Sequence, residues 1–176
     1  LCGLFDEWLK FGARRVSIRL FDSILMKLVD NSPGICHMQK TCNTYFMVEH
    51  NGDVYPCDFF ARPDLCLGNI MSSSWEDLLA SPVYNAFATR KHAFNEACSD
   101  CEFVGFCAGD CMKHRWTTTW DAGALSRLCA GWKKFYRHAL PELKNLAARL
   151  REERVAAQYP NAGGRITTPG RNDPCF

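Results

Sequence analysis

No stretch of this chain approaches the ~18 consecutive apolar residues that a membrane-spanning helix needs. The formal charge is only +2 over 176 residues, with both signs mixed, so there is no basic footprint for nucleic acid. Neither a membrane nor nucleic acid is expected as a partner. No charged, apolar, small-residue leader precedes the first cysteines, and the five histidines never recur at zinc-finger spacing. The eleven cysteines therefore read as reduced thiols of a cytoplasmic protein rather than the disulfide frame of a secreted one, and their odd number argues against complete pairing. No internal repeat of solenoid length is visible. With 47% hydrophobic and 12% aromatic residues, the chain has enough apolar surface for a packed core of about one domain.

The densest chemistry lies in CSDCEFVGFCAGDC, Cys98 to Cys111, four cysteines spaced CxxCx5Cx3C within fourteen residues. Two cysteines three apart can bring their sulfurs into one small volume, and two more on the following turns can complete a four-thiolate site. Setting aside Cys2, Cys66 and Cys175 leaves Cys36, Cys42, Cys57 and Cys129, enough for a second site. Spacing alone groups Cys98, Cys101, Cys107 and Cys111 together and leaves the other four as a second set. Zinc and iron-sulfur occupancy both satisfy four thiolates and are not separated by spacing.

In chain order, Leu1, Leu4, Phe5, Trp8 and Leu9 share a helical face that ends at Gly12, with Cys2 in the core. Val16, Ile18 and Leu20 alternate with Arg15, Ser17 and Arg19 as in a half-buried strand, which suggests an α/β layer. Phe21 to Val29 follows as a short helix bearing Leu25, Met26 and Leu28, closed by the Asn31-Ser32-Pro33-Gly34 turn, where a domain boundary is expected. TYFMVEH-NGD-VYPC reads as a β-hairpin whose Asn51-Gly52 pair supplies the positive φ values of a two-residue turn, folding Cys57 back towards Cys42. Strand alternation would point Cys57 and Asp58 to opposite faces unless the strand ends there.

Residues 59 to 73 read as loop, with Cys66 a small buried hydrophobe. Ser72, Ser73 or Ser74 caps a helix with Trp75, Leu78 and Leu79, and Ser81-Pro82 opens another running to about Ala97 with Val83, Phe87 and Phe94. His92, like the other histidines, reads as a surface or core residue. Met112 to Trp120 is a basic and aromatic loop. A helix from Ala122 carries Leu125, Leu128, Cys129, Trp132, Phe135 and Tyr136. Pro141 interrupts it before Leu143, Leu146, Leu150 and Val155 continue the stripe. From Tyr159 the composition is that of a flexible tail.

Five segments, GICHMQKTC, EHNGDVYPCDFF, LGNI, CSDCEFVGFCAGDCMKHR and LCAGWKKFYRH, together resemble the SPASM domain of radical S-adenosylmethionine enzymes, in particular the anaerobic sulfatase-maturating enzymes. FDEWLK and the strand after it resemble the end of that family's catalytic barrel, so the resemblance covers about residues 4 to 140. It implies an α+β fold: the end of an α/β barrel over 1–33, then a small cysteine-rich SPASM domain over 34–140 with a β-hairpin and several helices. A C-terminal helix over 141–158 and a tail over 159–176 complete the expected division. The resemblance also implies two 4Fe-4S clusters with interleaved ligands, Cys36, Cys42, Cys57 and Cys111 for the first and Cys98, Cys101, Cys107 and Cys129 for the second. Met112 stands where the family often has proline. GRNDPC resembles the opening of a SEC-C zinc motif, but stops at Cys175-Phe176 before the remaining ligands.

In that family a third 4Fe-4S cluster, held by a CxxxCxxC motif in the barrel, cleaves S-adenosylmethionine. The resulting radical oxidises a cysteine or serine of a sulfatase to formylglycine. The resemblance implies Asp58 as the base, a sulfatase polypeptide as substrate, flavodoxin or ferredoxin as electron donor, and a monomer. No three cysteines here have the CxxxCxxC spacing, so the chain reads as a C-terminal fragment inactive by itself. The competing expectations are a SPASM domain of another peptide-modifying radical enzyme and a non-catalytic zinc scaffold.

Overall fold

The computed structural model describes residues 1–158 apart from residues 14, 33, 94, 116–120 and 122. Phe94, most of the Met112 to Trp120 loop, Ala122, the tail from Tyr159, and Cys175 with its SEC-C-like sequence thus lie outside the described residues.

The larger core is built on one long helix. Phe135, Tyr136, Ala139, Leu140, Leu143, Leu146 and Ala147 recur at intervals that keep them on one side of a helix, and all are buried. Against this stripe pack α1 (Cys2–Phe11), through Phe5 and Trp8, and α2 (Arg19–Asp30), through Phe21, Ile24 and Leu25. The Phe5 ring meets Phe135 edge-on at 6.2 Å, and Phe21 stacks on Phe135 at 5.7 Å. Leu1 and Leu4, expected on the apolar face of α1, are more than half exposed, as is Met26 nearly so on α2.

The strand expected over residues 15 to 20 does not form. Arg19 already belongs to α2, and no described strand pairs with this segment. The Trp8 indole donates to the Val16 carbonyl at 2.8 Å, and the Ser17 hydroxyl donates to Asp22 in the first turn of α2. The apolar alternation is a helix lead-in, too short and unpaired to be a strand.

Three short antiparallel strands, β1 (Met47–Val48), β2 (Asp53–Tyr55) and β3 (Gly68–Asn69), make one sheet in sequence order. The hairpin was expected; β3 was read as loop, because two residues containing a glycine carry no strand signal. Register pairs Val48 with Val54, and the Glu49 amide donates to the Asp53 carbonyl at 2.8 Å. The loop is therefore His50-Asn51-Gly52, three residues rather than two, and only Gly52 has a positive φ, +89°. A Cβ on Gly52 would lie 2.8 Å from Asn69 Oδ1. That amide ties β3 to the hairpin by donating to the Asn51 carbonyl and to Asp53. Gly52→Ala is expected to cost about 1–2 kcal/mol, the usual penalty for a left-handed non-glycine residue, measured by urea unfolding.

Helix α3 (Trp75–Ala80) starts at Ser74, whose hydroxyl accepts from the Asp77 amide at 3.1 Å. Only Leu78 of its expected apolar residues is buried; Trp75 and Leu79 are exposed. Helix α4 (Pro82–Arg90) buries Tyr84, Phe87 and Ala88 and stops short of Ala97, since Lys91 turns inward instead of continuing it. A small second core of Phe60, Leu65, Phe87 and Met112 has Cys42 and Cys57 packed against it. Helix α5 (Val104–Cys107) is one turn. Helix α6 (Cys129–Gln158) starts seven residues later than expected and continues through Pro141, because its buried stripe packs against α1 and α2 on both sides of the proline.

Candidate metal centre

All ten described cysteines are free thiols, half-buried, so no disulfide holds them. Eight of them line two separate cavities. Cys36, Cys42, Cys57 and Cys111 border the first, with Thr44, Asp58 and Phe59. Cys98, Cys101, Cys107 and Cys129 border the second, with Phe103 and Trp132. Cys66, whose thiol approaches the Gly68 carbonyl at 3.6 Å, borders neither and is half-buried rather than buried.

Electrostatics sorts the thiols in the same way. Burial, against the opposing charge of Lys91 and with help from Cys111 and Cys36, pushes Cys42 up to about 11. Burial likewise raises Cys57 to about 12, with Asp58 and Cys111 adding to it. In the second cavity burial raises Cys107 to about 12, and Asp110, Cys98 and Cys129 reinforce the shift. Within each cavity neighbouring thiols thus oppose one another's ionisation, as Cys111 does for Cys42 and Cys57 and Cys129 for Cys98 and Cys107, which is the situation a bound cation reverses.

The sequence run Cys107 to Cys111 is divided between the cavities by its backbone. Ala108, Gly109 and Asp110 have φ values of 46°, 70° and 64°, three consecutive left-handed residues. This turn sends Cys107, at the end of α5, to one cavity and Cys111 to the other. Two of the three are not glycine, and each carries a steric penalty of about 1–2 kcal/mol that the surroundings must offset.

The offset comes from Arg115, which is buried. Its Nε donates to the Gly109 carbonyl at 3.0 Å and its Nη2 to the Asp110 carbonyl at 3.2 Å; Nη1 reaches Lys91 and Ala93 at the end of α4. The Asp110 side chain, also buried, accepts from the Ser126 hydroxyl at 2.6 Å and meets His114 Nδ1 at 2.8 Å. Burial alone would raise the Asp110 carboxyl, but the Ser126 hydroxyl and the Cys111 amide hold it below the usual carboxylate value. Its other oxygen faces Trp132 Nε1 without hydrogen-bond geometry. The Trp132 ring stacks on His37, next to Cys36, at 5.2 Å, so one aromatic pair joins the walls of the two cavities. Arg115→Ala is expected to destabilise the chain by about 3–5 kcal/mol in urea unfolding, since it strands several buried carbonyls, and Arg115→Lys is not expected to rescue it, lacking the planar fork.

The remaining ligand candidates are placed by local structure. Cys36 opens a one-turn helix, Cys36–Met38, pinned by Lys91, whose ammonium donates to the carbonyls of Cys36, His37 and Gln39 at 3.1, 2.7 and 2.5 Å. Cys42 is fixed by its amide, which donates to Ala88 of α4. Cys129 lies in the first turn of α6, where the helix dipole favours negative charge. Strand β2 ends at Tyr55, so strand alternation does not reach Cys57 and Asp58. The two side chains lie together, with the thiol donating to Asp58 Oδ1 at 3.3 Å. Asp58 and Phe59 are exposed at the rim of the first cavity, and Lys113 Nζ sits 3.2 Å from the centre of the Phe59 ring.

The donor set fits iron-sulfur clusters. A lone zinc ion would draw four sulfurs to about 2.3 Å from one point. Among the described residues no three His, Cys, Asp or Glu side chains converge in that way. Four cysteines standing around a shared cavity suit a cluster, which takes each thiolate on a separate iron. Residues 36–102 match the SPASM family, an iron-sulfur cluster-binding domain. Residues 36–102 are thus similar to a SPASM iron-sulfur cluster-binding domain.

The chain is similar to sulfatase-maturating enzymes. It is 34% identical over 92% of its length to the serine-type anaerobic sulfatase-maturating enzyme of Bacteroides thetaiotaomicron, covering 40% of that protein. It is 33% identical over 86% of its length to the cysteine-type enzyme of Clostridium perfringens, covering 41%. The solved structure of native anSMEcpe with bound AdoMet and Kp18Cys peptide superposes with a TM-score of 0.78 at 33% identity, over 84% of this chain and 41% of that one. The chain thus spans about two fifths of the length of these relatives. The α+β architecture agrees with that superposition. Among the described residues no helix is long and apolar enough to cross a membrane.

Lys91, Asp110, Arg115 and the His37–Trp132 pair are not legible in the sequence as parts of the site. Each is a common residue at a position where a solvated or simply packed side chain is the ordinary reading, and only the buried contacts give them a role.

Proposed function

We propose that this chain is the auxiliary-cluster module of a radical S-adenosylmethionine sulfatase maturase, the enzyme that oxidises a sulfatase cysteine or serine to formylglycine. The observation that carries the proposal is the sorting of eight cysteines into two cavities of four. Cys36, Cys42, Cys57 and Cys111 would hold one 4Fe-4S cluster; Cys98, Cys101, Cys107 and Cys129 would hold the other. When bound, such clusters accept and pass on single electrons. Residues 1–33 would then be the end of the radical-generating barrel, 34–140 the SPASM domain and 141–158 a C-terminal helix.

The chain's own residues contribute position and proton transfer. Asp58 stands at the open rim of the first cavity, where a carboxylate can accept the proton of a substrate thiol or hydroxyl. Its neighbour Cys57 is a cluster ligand, so the base is held beside the place where an electron can leave. Radical generation is assigned to a barrel that carries S-adenosylmethionine and a third cluster, with a flavodoxin or ferredoxin as donor, and the chain by itself makes no formylglycine.

The test is iron and sulfide content after reconstitution without oxygen, with electron paramagnetic resonance on reduction. About eight irons per chain are expected, falling to about four in Cys36→Ala, Cys111→Ala or Cys107→Ala. Cys36→Ala and Cys111→Ala should lose the same resonance, and Cys107→Ala the other. Loss of one resonance in both Cys107→Ala and Cys111→Ala would refute the interleaved set, and zinc without iron would refute the cluster reading.

A further inference from the structure

Lys91 lies behind the first cavity, bonded to the backbone of its Cys36, with 0% of its surface exposed. An ammonium group has three N–H donors, and the three carbonyls of Cys36, His37 and Gln39 take all three, so hydrogen bonding is complete while charge is not. Among the described residues no carboxylate forms an ion pair with it. A buried cation without an anion is costly enough that folded proteins pair or neutralise it. Burial lowers the Lys91 pKa, and the acidic groups that oppose this are the thiols of Cys42, Cys111 and Cys36, all of the first cavity. Burial also lowers Arg115, the other buried cation, and Cys98, Asp110, Cys42 and Cys107 oppose it, so that it is shared between both cavities.

We propose that Lys91 is the built-in counter-charge of the first cavity: it stabilises an anionic thiolate-bound cluster there and raises that cluster's reduction potential selectively, leaving the second cluster unaffected. The inference rests on the cluster reading above. The physical basis is that reduction adds one negative charge to the occupant, and a fixed positive charge in a poorly screened interior favours the more negative state. The first site is thereby easier to reduce than it would be without Lys91, and it is the site beside Asp58.

The test is potentiometric titration of the reconstituted full chain followed by electron paramagnetic resonance, the two signals being assigned with a Cys98→Ala/Cys101→Ala variant that leaves only the first site. Lys91→Met is expected to disfavour reduction of the first cluster at least tenfold, which is 59 mV for a one-electron couple, with the second cluster unchanged. Lys91→Gln, which keeps polar donors in place and removes the charge, should show the same shift, and Lys91→Arg should restore most of it. Loss of about four irons in Lys91→Met, with retention in Lys91→Arg, would also support a counter-charge. Unchanged first-site potential in Lys91→Gln with iron intact overturns the proposal, as does an equal shift of both sites. A wild-type chain that takes up no iron overturns the cluster reading itself, and this inference with it.

Discussion

Replacing Asp58 by Asn in a full-length maturase is expected to lower formylglycine formation by about 10²–10⁴-fold, the usual range for removing a general base. The amide keeps the shape of the carboxylate and its contact with Cys57, which donates to Oδ1 at 3.3 Å, but it cannot take a proton. Iron content should stay at the wild-type value, because Asp58 is exposed and outside both cores. Cleavage of S-adenosylmethionine should also persist, since that step is assigned to another part of the enzyme. Deoxyadenosine without formylglycine is therefore the expected signature. Equal loss of both products, or unchanged formylglycine, would remove Asp58 from the role of base.

Stripping the metal with a chelator is expected to unfold part of the chain and spare the rest. The apolar core of α1, α2 and α6 contains Phe5, Trp8, Phe21, Ile24, Phe135 and Leu143 at 4% exposure or less, and Cys101 and Cys107 only pack against it from its margin. The other core has four members, Phe60, Leu65, Phe87 and Met112, and its packed neighbours include Cys42 and Cys57. Such a small apolar group cannot offset the entropy of ordering the turns around it, whereas structural metal sites with zinc supply roughly 10 kcal/mol or more. Hydrogen exchange should therefore show protection lost at Val54, Phe60 and Met112 while Leu140 to Ala147 stay protected, and helical circular dichroism should fall only in part. Uniform loss of protection would mean that the two cores fold as one unit.

The sequence carried the chemistry of this protein and the helices that frame it. Eight cysteines at recognisable intervals, the NGD hairpin, a serine cap among Ser72, Ser73 and Ser74 and the apolar stripe of α6 are local patterns, and local patterns survive in a linear reading. The resemblance built on them also pointed to the domain that residues 36–102 match. Other elements were misread for want of their partners. Val16, Ile18 and Leu20 alternate like a strand yet meet no strand, and Gly68–Asn69 pairs with β2 although two residues give no signal. Helix α6 runs through Pro141 because packing on both sides outweighs one missing N–H.

The family resemblance implied the interleaved division of the thiols, and what only the tertiary structure supplied is its physical cause. By spacing, Cys107 and Cys111 belong together. Three left-handed residues turn them apart, and Arg115, eight positions after Cys107, holds that turn by its carbonyls. Lys91 falls inside the helix expected to run to about Ala97 and is instead buried against Cys36, fifty-five positions away. The physical reason is common to both. Side-chain type is written in the sequence, but whether a charge is buried, and which backbone carbonyls it meets, depends on residues brought together by folding.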